Sequence, residues 1–334
     1  MNLAKKYIKK TIGYFFKYYS LIFKPFKGRN IIIMYHRVIE NHMSGIYDVA
    51  MFVKKDTLSM HLYELSKHFD IVSLDTLVVS SNSSRSMCAI TFDDGWQDNY
   101  THAYPILCEY KIPATIFITV NMIGTDKDFW FHCIWDLANT ALIQSKEQLF
   151  FKYFSDSIKY DGEFLINEAN INLLATKFKY VDPEKIDPLI NNAYYQLDIQ
   201  KNESNNLLKW ENILEMNDNG INIGSHGMNH YILTEIDDDS KSHEIIESYD
   251  IINNKGIKVD SVFSYPNGNW DYKSIDYVKT AGYKGAVTTS LGFNDDDSNP
   301  FVLNRIPIHD EISNTPSLLW YRLFQCYISS LTKH

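Results

Sequence analysis

The sequence predicts an α/β fold built on a largely parallel sheet. Two observations carry this. Short apolar runs of strand length recur along the chain and alternate with segments of helical spacing. Two of these runs also lead directly into carboxylates or imidazoles and a glycine, as a buried strand does when it delivers polar residues to a turn.

The elements follow in order. Residues 3–26, placed on a wheel of roughly 100° per residue, put Lys5, Lys6, Lys9, Lys10, Lys17 and Lys24 in one arc. Ile8, Ile12, Phe15, Tyr19, Ile22 and Phe26 fall opposite, and Pro25 marks the end. That is the form of a basic amphipathic helix over residues 1–28 lying in a membrane interface beside anionic lipid. Its alternatives are a helix packed on its own domain and a signal peptide. The signal peptide fits poorly, because Lys17 interrupts the apolar run and no small-x-small site follows.

Asn30 to Val38 reads as a first buried strand, and Val53 to His68 as a helix presenting Leu58, Leu62 and Leu65. A short strand is expected over Phe69–Leu74. The run Met87-Cys88-Ala89-Ile90 then enters Thr91-Phe92-Asp93-Asp94-Gly95, followed by a helix near Tyr104–Tyr110 and a strand at Ala114–Ile118. Between about 126 and 206 the rhythm changes to helical spacing, at Phe129 through Leu137, Leu149 to Ile158 and Ile171 to Phe178. Asp182-Pro183-Glu184 and Lys201 to Ser204 punctuate it. This is a helical insertion within a domain spanning 29–334. The strand–helix pattern resumes at Trp210, with strands at Ile221–Gly224, Ser261–Tyr265, Gly285–Thr289 and Asn304–Ile308.

At 334 residues the chain can bury a large core. No uncharged apolar stretch of about 20 residues exists, so no spanning helix is expected. Residues 1–29 carry eight Lys or Arg and no acid, leaving 24 of the 32 basic residues against all 41 acidic ones. The acidic body argues against nucleic acid as a partner. Cys88, Cys108, Cys133 and Cys326 show no CxxC spacing and read as reduced thiols, with two disulfides as the alternative. Asp237-Asp238-Asp239 and Asn294 to Asp297 lack EF-hand spacing and read as solvated loops.

The chemistry concentrates in two places. Asp93 and Asp94 follow a buried strand; His226 and His230 follow Ile221-Asn222-Ile223-Gly224-Ser225, four residues apart. One Asp and two His suffice to hold zinc with a fourth position open to water. The spare Asp is a candidate general base. Gly227-Met228-Asn229 lacks the Glu of HExxH, which disfavours a zincin protease. Read alone, Asp93-Asp94-Gly95 is equally a polar turn capping the next helix.

Thr91-Phe92-Asp93-Asp94-Gly95 resembles the first motif of the NodB-homology polysaccharide deacetylases, carbohydrate esterase family four. His226-Gly227-Met228-Asn229-His230 resembles their second motif, usually His-Ser/Thr-x-x-His. Phe263 to Gly268 resembles the third, and Arg305 to His309 the last. Met34 to Val38 and Trp210-Glu211 also resemble this family. The likeness covers about 30–125 and 207–310 and leaves the leader and the insertion outside. It implies a distorted (β/α) barrel with its site at the C-terminal strand ends. It implies Asp94, His226 and His230 as ligands of a divalent metal, zinc foremost, with cobalt or nickel also suited to such a site. Asp93 becomes the general base and His309 the acid for the departing amine. Asn267, through its backbone N–H, and Tyr265 become the oxyanion and substrate residues.

The chain departs from the pattern in three places. Ser264 stands where the third motif usually has an Arg that orients the base, with Arg305 and Arg37 as the candidates to replace it. Gly227 replaces the usual hydroxyl residue. The family's fourth motif, with its Asp and Trp, is absent near 285–300. His36 ends the first strand on the same face and reads as structural.

The expected function is metal-dependent removal of an N-acyl group, acetyl foremost, from an amino sugar of a cell-envelope glycan or lipid-linked precursor. The alternatives are a deformylase or other short-chain deacylase of a sugar amine, and an inactive glycan-binding barrel. The expected partners are that N-acylated sugar and, through residues 1–27, a membrane surface. The expected location is the cytoplasm, peripheral on the inner face of the membrane, with an exported form as the alternative.

Overall fold

A computed structural model describes residues 3–331 except 24–25, 42–44, 46, 81–85, 163–164 and 202–205. Lys24 and Pro25 of the expected leader helix, and Asn202 to Ser204, lie outside the described residues. The chain runs through α1 (Leu3–Phe23), β1 (Ile31–Tyr35), β2 (Arg37–Ile39), β3 (Phe52–Lys54), α2 (Lys55–Ser66), β4 (Asp70–Ile71), α3 (Leu74–Val79), β5 (Met87–Phe92), α4 (Tyr104–Tyr110) and β6 (Thr115–Ile118). The helices α5 (Trp130–Ile143), α6 (Glu147–Ile158), α7 (Glu168–Phe178) and α8 (Pro183–Gln196) follow. Then come α9 (Trp210–Asp218), β7 (Asn222–Ser225), α10 (Asp238–Ser242), α11 (Ser248–Asn254), β8 (Val262–Ser264), α12 (Tyr272–Thr280), β9 (Gly285–Leu291), β10 (Leu303–Pro307), α13 (Asp310–Ser313) and α14 (Pro316–Leu331).

The fold is α/β, a nearly closed parallel barrel. Its strands run in the order β7-β6-β5-β1-β10-β9-β8. The circle returns on itself where Ile223 bridges Val259 and the Asp260 N–H donates to the Ile223 carbonyl at 2.7 Å. The short β4 pairs with the start of β5. The expected strand Asn30–Val38 is broken at His36 into β1 and β2, and β2 pairs with β3 in a separate ribbon.

Side chains alternate across each strand. Ile32, Ala89, Phe117, Val262, Val287 and Leu303 form an inner cluster, with Leu74 and Leu77 of α3. Ile31, Ile33, Cys88, Ile90, Ile116 and Phe263 join the outer core under the helices. The same parity carries upward. Met87 and Ala89 are followed by Thr91 and Asp93, Leu303 by Arg305, and Val262 by Ser264. A period of two therefore aims Asp93, Arg305 and Ser264 into the barrel's upper end. Gly224 is required below them, because a Cβ there would sit 2.5 Å from the Phe117 ring.

All four cysteines are free thiols. The α1 helix belongs to the barrel's compact unit. Gly13 lies so close to α14 that an added Cβ would meet the Ser317 carbonyl. Phe16 packs on Trp320 and Phe324, and Lys17 pairs with Glu64 at 2.6 Å, whose carboxylate also accepts from Trp320 Nε1.

The second compact unit comprises residues 42–48 and 125–207. Its helices α5–α8 close over Phe150, Phe151, Phe154 and Phe178. Asp182-Pro183-Glu184 separates α7 from α8 and starts the latter: the Asp182 carboxylate accepts from the Glu184 N–H and Pro183 opens α8.

The barrel's lower end holds a carboxyl pair. Asp260 is almost fully buried beside Asp75, and Thr115 Oγ1 donates to it at 2.7 Å. Burial, then the charge of Asp75, push the Asp260 pKa up to about 8. Its folded pKa exceeds its unfolded one, so this stabilisation is complete below the ordinary carboxylate range and is lost as pH rises toward about 8. Asp260→Asn is expected to flatten that decline in urea unfolding between roughly pH 5 and pH 8. An unchanged slope would show that Asp260 ionises normally.

Candidate metal-dependent active site

The turn after β5 carries both carboxylates. The Asp93 N–H continues the ladder to the Tyr35 carbonyl at 3.0 Å. The chain then reverses through two left-handed residues, Asp94 (φ 79°) and Gly95 (φ 86°). For Asp94 this conformation is costly, and such strain persists where surroundings over-determine it. Here the Leu208 N–H donates to the Gly95 carbonyl at 2.9 Å, and the Trp96 indole N–H donates to Asp94 Oδ2 at 2.8 Å.

The two histidines lie on a bent loop after β7, not on one helical turn. The His226 N–H pairs with the Ile118 carbonyl, and His230 is left-handed (φ 62°). His226 Nδ1 lies 2.8 Å from the Ser264 carbonyl. A carbonyl only accepts, so Nδ1 carries the proton and the Nε2 lone pair is presented. Burial lowers the His226 pKa to about 4, which keeps the ring neutral.

Asp94, His226 and His230 come together, each offering one ligand atom, with all three atoms within 4.8 Å of one another. Asp94 Oδ1 lies 3.6 Å from His226 Nε2 and 3.4 Å from His230 Nε2. Donors bound to one zinc at roughly 2.0–2.2 Å stand about 3.3–3.6 Å apart along a tetrahedral edge. The spacing, the fixed tautomer and the N,N,O donor set all fit a divalent metal. Burial alone would raise the Asp94 carboxyl; the His230 hydrogen bond and the surrounding imidazoles outweigh it and hold it well below the usual carboxylate range.

Asp93 sits beside this cluster, its Oδ2 3.9 Å from His226 Nε2. Its partner is Arg305, fully buried, whose Nη1 donates to Asp93 Oδ1 at 2.7 Å and Nη2 to Oδ2 at 2.6 Å. Arg305 is itself held by Nε donating to the Thr288 carbonyl at 2.7 Å. Its Nη2 also donates to Ser264 Oγ at 3.2 Å, so the residue standing in the usual Arg position touches the Arg that replaces it. Burial opposes ionisation of Asp93, but the Arg305 charge prevails and lowers its pKa. Arg37, the other candidate, bonds Asp98 at 2.8 Å and lies over the Trp96 ring at 4.5 Å.

Asn267 is left-handed (φ 57°) in a tight turn closed by the Gly268 N–H on the Tyr265 carbonyl. Gly268 is obligatory there, since a Cβ would fall 2.5 Å from the Thr289 nitrogen. Tyr265 is fully buried and its hydroxyl donates to the Phe301 carbonyl at 3.2 Å. The hydroxyl is thus bonded within the protein, and the Tyr265 carbonyl closes the Asn267 turn. His309 lies two residues beyond β10 and begins α13. His36 occupies the matching place beyond β1, where its carbonyl accepts from Asn99 Nδ2.

One site residue escaped the sequence. Glu244 is buried on a π-helical turn, His243–Glu247, between α10 and α11. Its carboxylate accepts from the Met228 and Asn229 N–H groups at 3.0 Å and from Asn229 Nδ2 at 2.6 Å. It thereby clamps the loop joining the two histidines. Gly227 permits this, since a Cβ there would lie 2.7 Å from Glu244 Oε2. The lost hydroxyl of the second motif thus has a counterpart in a carboxylate. Glu244→Ala is expected to weaken metal binding roughly 10–100-fold, as loss of supporting partners generally does, with Glu244→Gln restoring part. Equal affinity in a chelator competition would remove Glu244 from the site.

Barrel, turn and donor cluster together define a NodB-type deacetylase fold. The polysaccharide deacetylase family model matches residues 80–144 and 187–286, about half of the chain. YxkH of Bacillus subtilis, which carries a provisional polysaccharide deacetylase name, is 21% identical over 255 residues, 76% of this chain and 61% of that protein. The chain thus matches less than two thirds of that relative's length. The deacetylase PplD of Streptococcus pyogenes, solved with acetate, superposes with TM-score 0.58 at 18% identity, over 90% of this chain and 99% of PplD. IcaB of Ammonifex degensii gives 0.56 at 16%, over 88% and 97%. At these identities the likeness is one of fold.

Proposed function

We propose that this protein is a metal-dependent carbohydrate N-deacetylase. Its substrate is an N-acetylated amino sugar of a cell-envelope glycan or lipid-linked precursor. The observation that carries this is the cluster of Asp94, His226 and His230 with an Arg-held carboxylate, Asp93, beside it. The acetate in the PplD structure is the acid that such a reaction releases.

Asp94, His226 and His230 would hold the ion, zinc first and cobalt or nickel as alternatives. When bound, it acidifies water and polarises the acyl carbonyl. Asp93, fixed by the Arg305 fork, takes the proton of the attacking water. The Asn267 N–H stabilises the oxyanion that develops. His309 protonates the departing nitrogen. The water oxygen bonds to the acyl carbon, the C–N bond breaks, and a carboxylate and a free sugar amine leave.

Membrane contact through residues 1–27, on the cytoplasmic face, belongs to the same reading and favours the lipid-linked substrate. The test is acid release from N-acylated sugars, soluble and lipid-linked. Acetate should appear, stop with chelator and return with Zn2+, Co2+ or Ni2+. Formate exceeding acetate would transfer the reading to a deformylase. Glycan binding without release of either acid, in metal-loaded protein, would leave an inactive glycan-binding barrel.

A further inference from the structure

The leader helix is packed, but by the unexpected side. Among its described side-chain positions Gly13, Phe16 and Ser20 are buried, and Lys6, Lys9, Lys10 and Lys17 flank them. Of the expected apolar arc, Ile8, Phe15 and Tyr19 face outward instead, whereas Ile12 is half-buried and Phe26 joins the core. Tyr7 is 69% exposed, Ile8 59% and Phe15 67%, and Tyr14, Tyr18 and Tyr19 are exposed beside them. No charged residue interrupts this face. The Tyr14 and Tyr18 rings lie 4.7 Å apart at a tilt of 55°, and the Tyr14 hydroxyl donates to that of Tyr18 at 3.3 Å.

A helix that packs through its basic side while presenting Tyr7, Ile8, Tyr14, Phe15 and Tyr18 to solvent carries an exposed apolar surface. Its composition selects the partner. Three of these five are tyrosines, with apolar bodies and polar tips suited to the level of lipid headgroups. Residues 1–29 hold eight basic residues and no acid, whereas the remaining chain is strongly acidic. Lys5 is exposed on one flank of the face, and Lys6 and Lys10 are partly exposed on the other. Two copies meeting through this face would oppose like charges, whereas an anionic bilayer meets both the aromatic face and its basic rim. Among the described residues no helix is long and apolar enough to cross a membrane, so α1 lies along the surface.

We infer that the outward aromatic face of α1, and not its lysine side, enters an anionic membrane and docks the barrel on it. This rests on the membrane contact proposed above and fixes which face makes it. The full-length protein is mixed with phosphatidylcholine vesicles, pure or with roughly a third phosphatidylglycerol, and floated at low and high salt. It should float with the anionic vesicles. The variant Tyr7→Ser/Ile8→Ser/Phe15→Ser should lose partitioning by on the order of 100-fold. Its Tm and its activity on a soluble substrate should be nearly unchanged, since these side chains are mostly exposed and lie outside the site. Equal flotation of the variant would overturn the choice of face while leaving membrane contact standing. A wild-type protein that ignores anionic vesicles at low salt would overturn both. A wild-type dimer in sedimentation, abolished in the variant, would assign the face to a second copy.

Discussion

Asp93→Asn should reduce turnover by about 10²–10⁴-fold, the range for loss of a positioned general base, while the folded protein keeps its metal. Asp94→Asn and His226→Ala should lose metal and activity together. The split follows from geometry. Asp94 Oδ1 stands 3.4–3.6 Å from both imidazole Nε2 atoms, whereas both Asp93 oxygens are occupied by the Arg305 fork. The asparagine can still accept one bond from Arg305, but its amide nitrogen then opposes a guanidinium N–H in a fully buried site. Some stability will go with it, so metal content is measured on the folded fraction after dialysis, with Tm alongside. Equal metal loss in all three variants would show that the two aspartates' roles are exchanged.

Much of this site is written locally. The apolar run into Asp93-Asp94-Gly95 specifies a buried strand and a turn, and His226 to His230 specifies a second strand-end loop. Each needs only a few adjacent residues. The strand–helix alternation and the break to helical rhythm after Thr125 are visible for the same reason, since hydrophobic periodicity is a local signal, whereas closure into a barrel was implied only by the family resemblance. What the sequence hides is long-range. Arg305 lies 212 positions from Asp93, and only strand order and register set it opposite. One clue was available: a charged residue between Leu303 and Ile306 in a buried strand needs a partner, though not which one. Glu244 left no comparable trace. It reaches the histidine loop from a π-helical turn, whose irregular spacing no amphipathic pattern announces. The leader's wheel was legible, but not which arc would pack. Close approach at Gly13 decides that, and an α14 unseen in the sequence supplies the surface.

Arg305→Met should be the most damaging single change that touches neither metal ligand nor base. It removes the guanidinium that binds Asp93 and leaves a fully buried carboxylate without that counter-charge. Removing one partner of a buried pair costs about 3–5 kcal/mol, and a base that can rotate loses its aim on the water, so activity should fall at least about 100-fold. Arg305→Lys separates charge from geometry: it keeps a cation but not the two-pronged fork, and should recover stability more than turnover. The decisive variant moves the arginine. Ser264 Oγ already contacts Arg305 Nη2 at 3.2 Å, so both side chains reach one pocket from β8 and β10. In Ser264→Arg/Arg305→Ser the guanidinium would approach Asp93 from β8, the arrangement usual in the third motif. That double variant should exceed Arg305→Met in both Tm and acetate release. If it does not, the two strands are not interchangeable sources of the base's partner. If Arg305→Met keeps wild-type activity, Asp93 does not depend on Arg305 for its orientation.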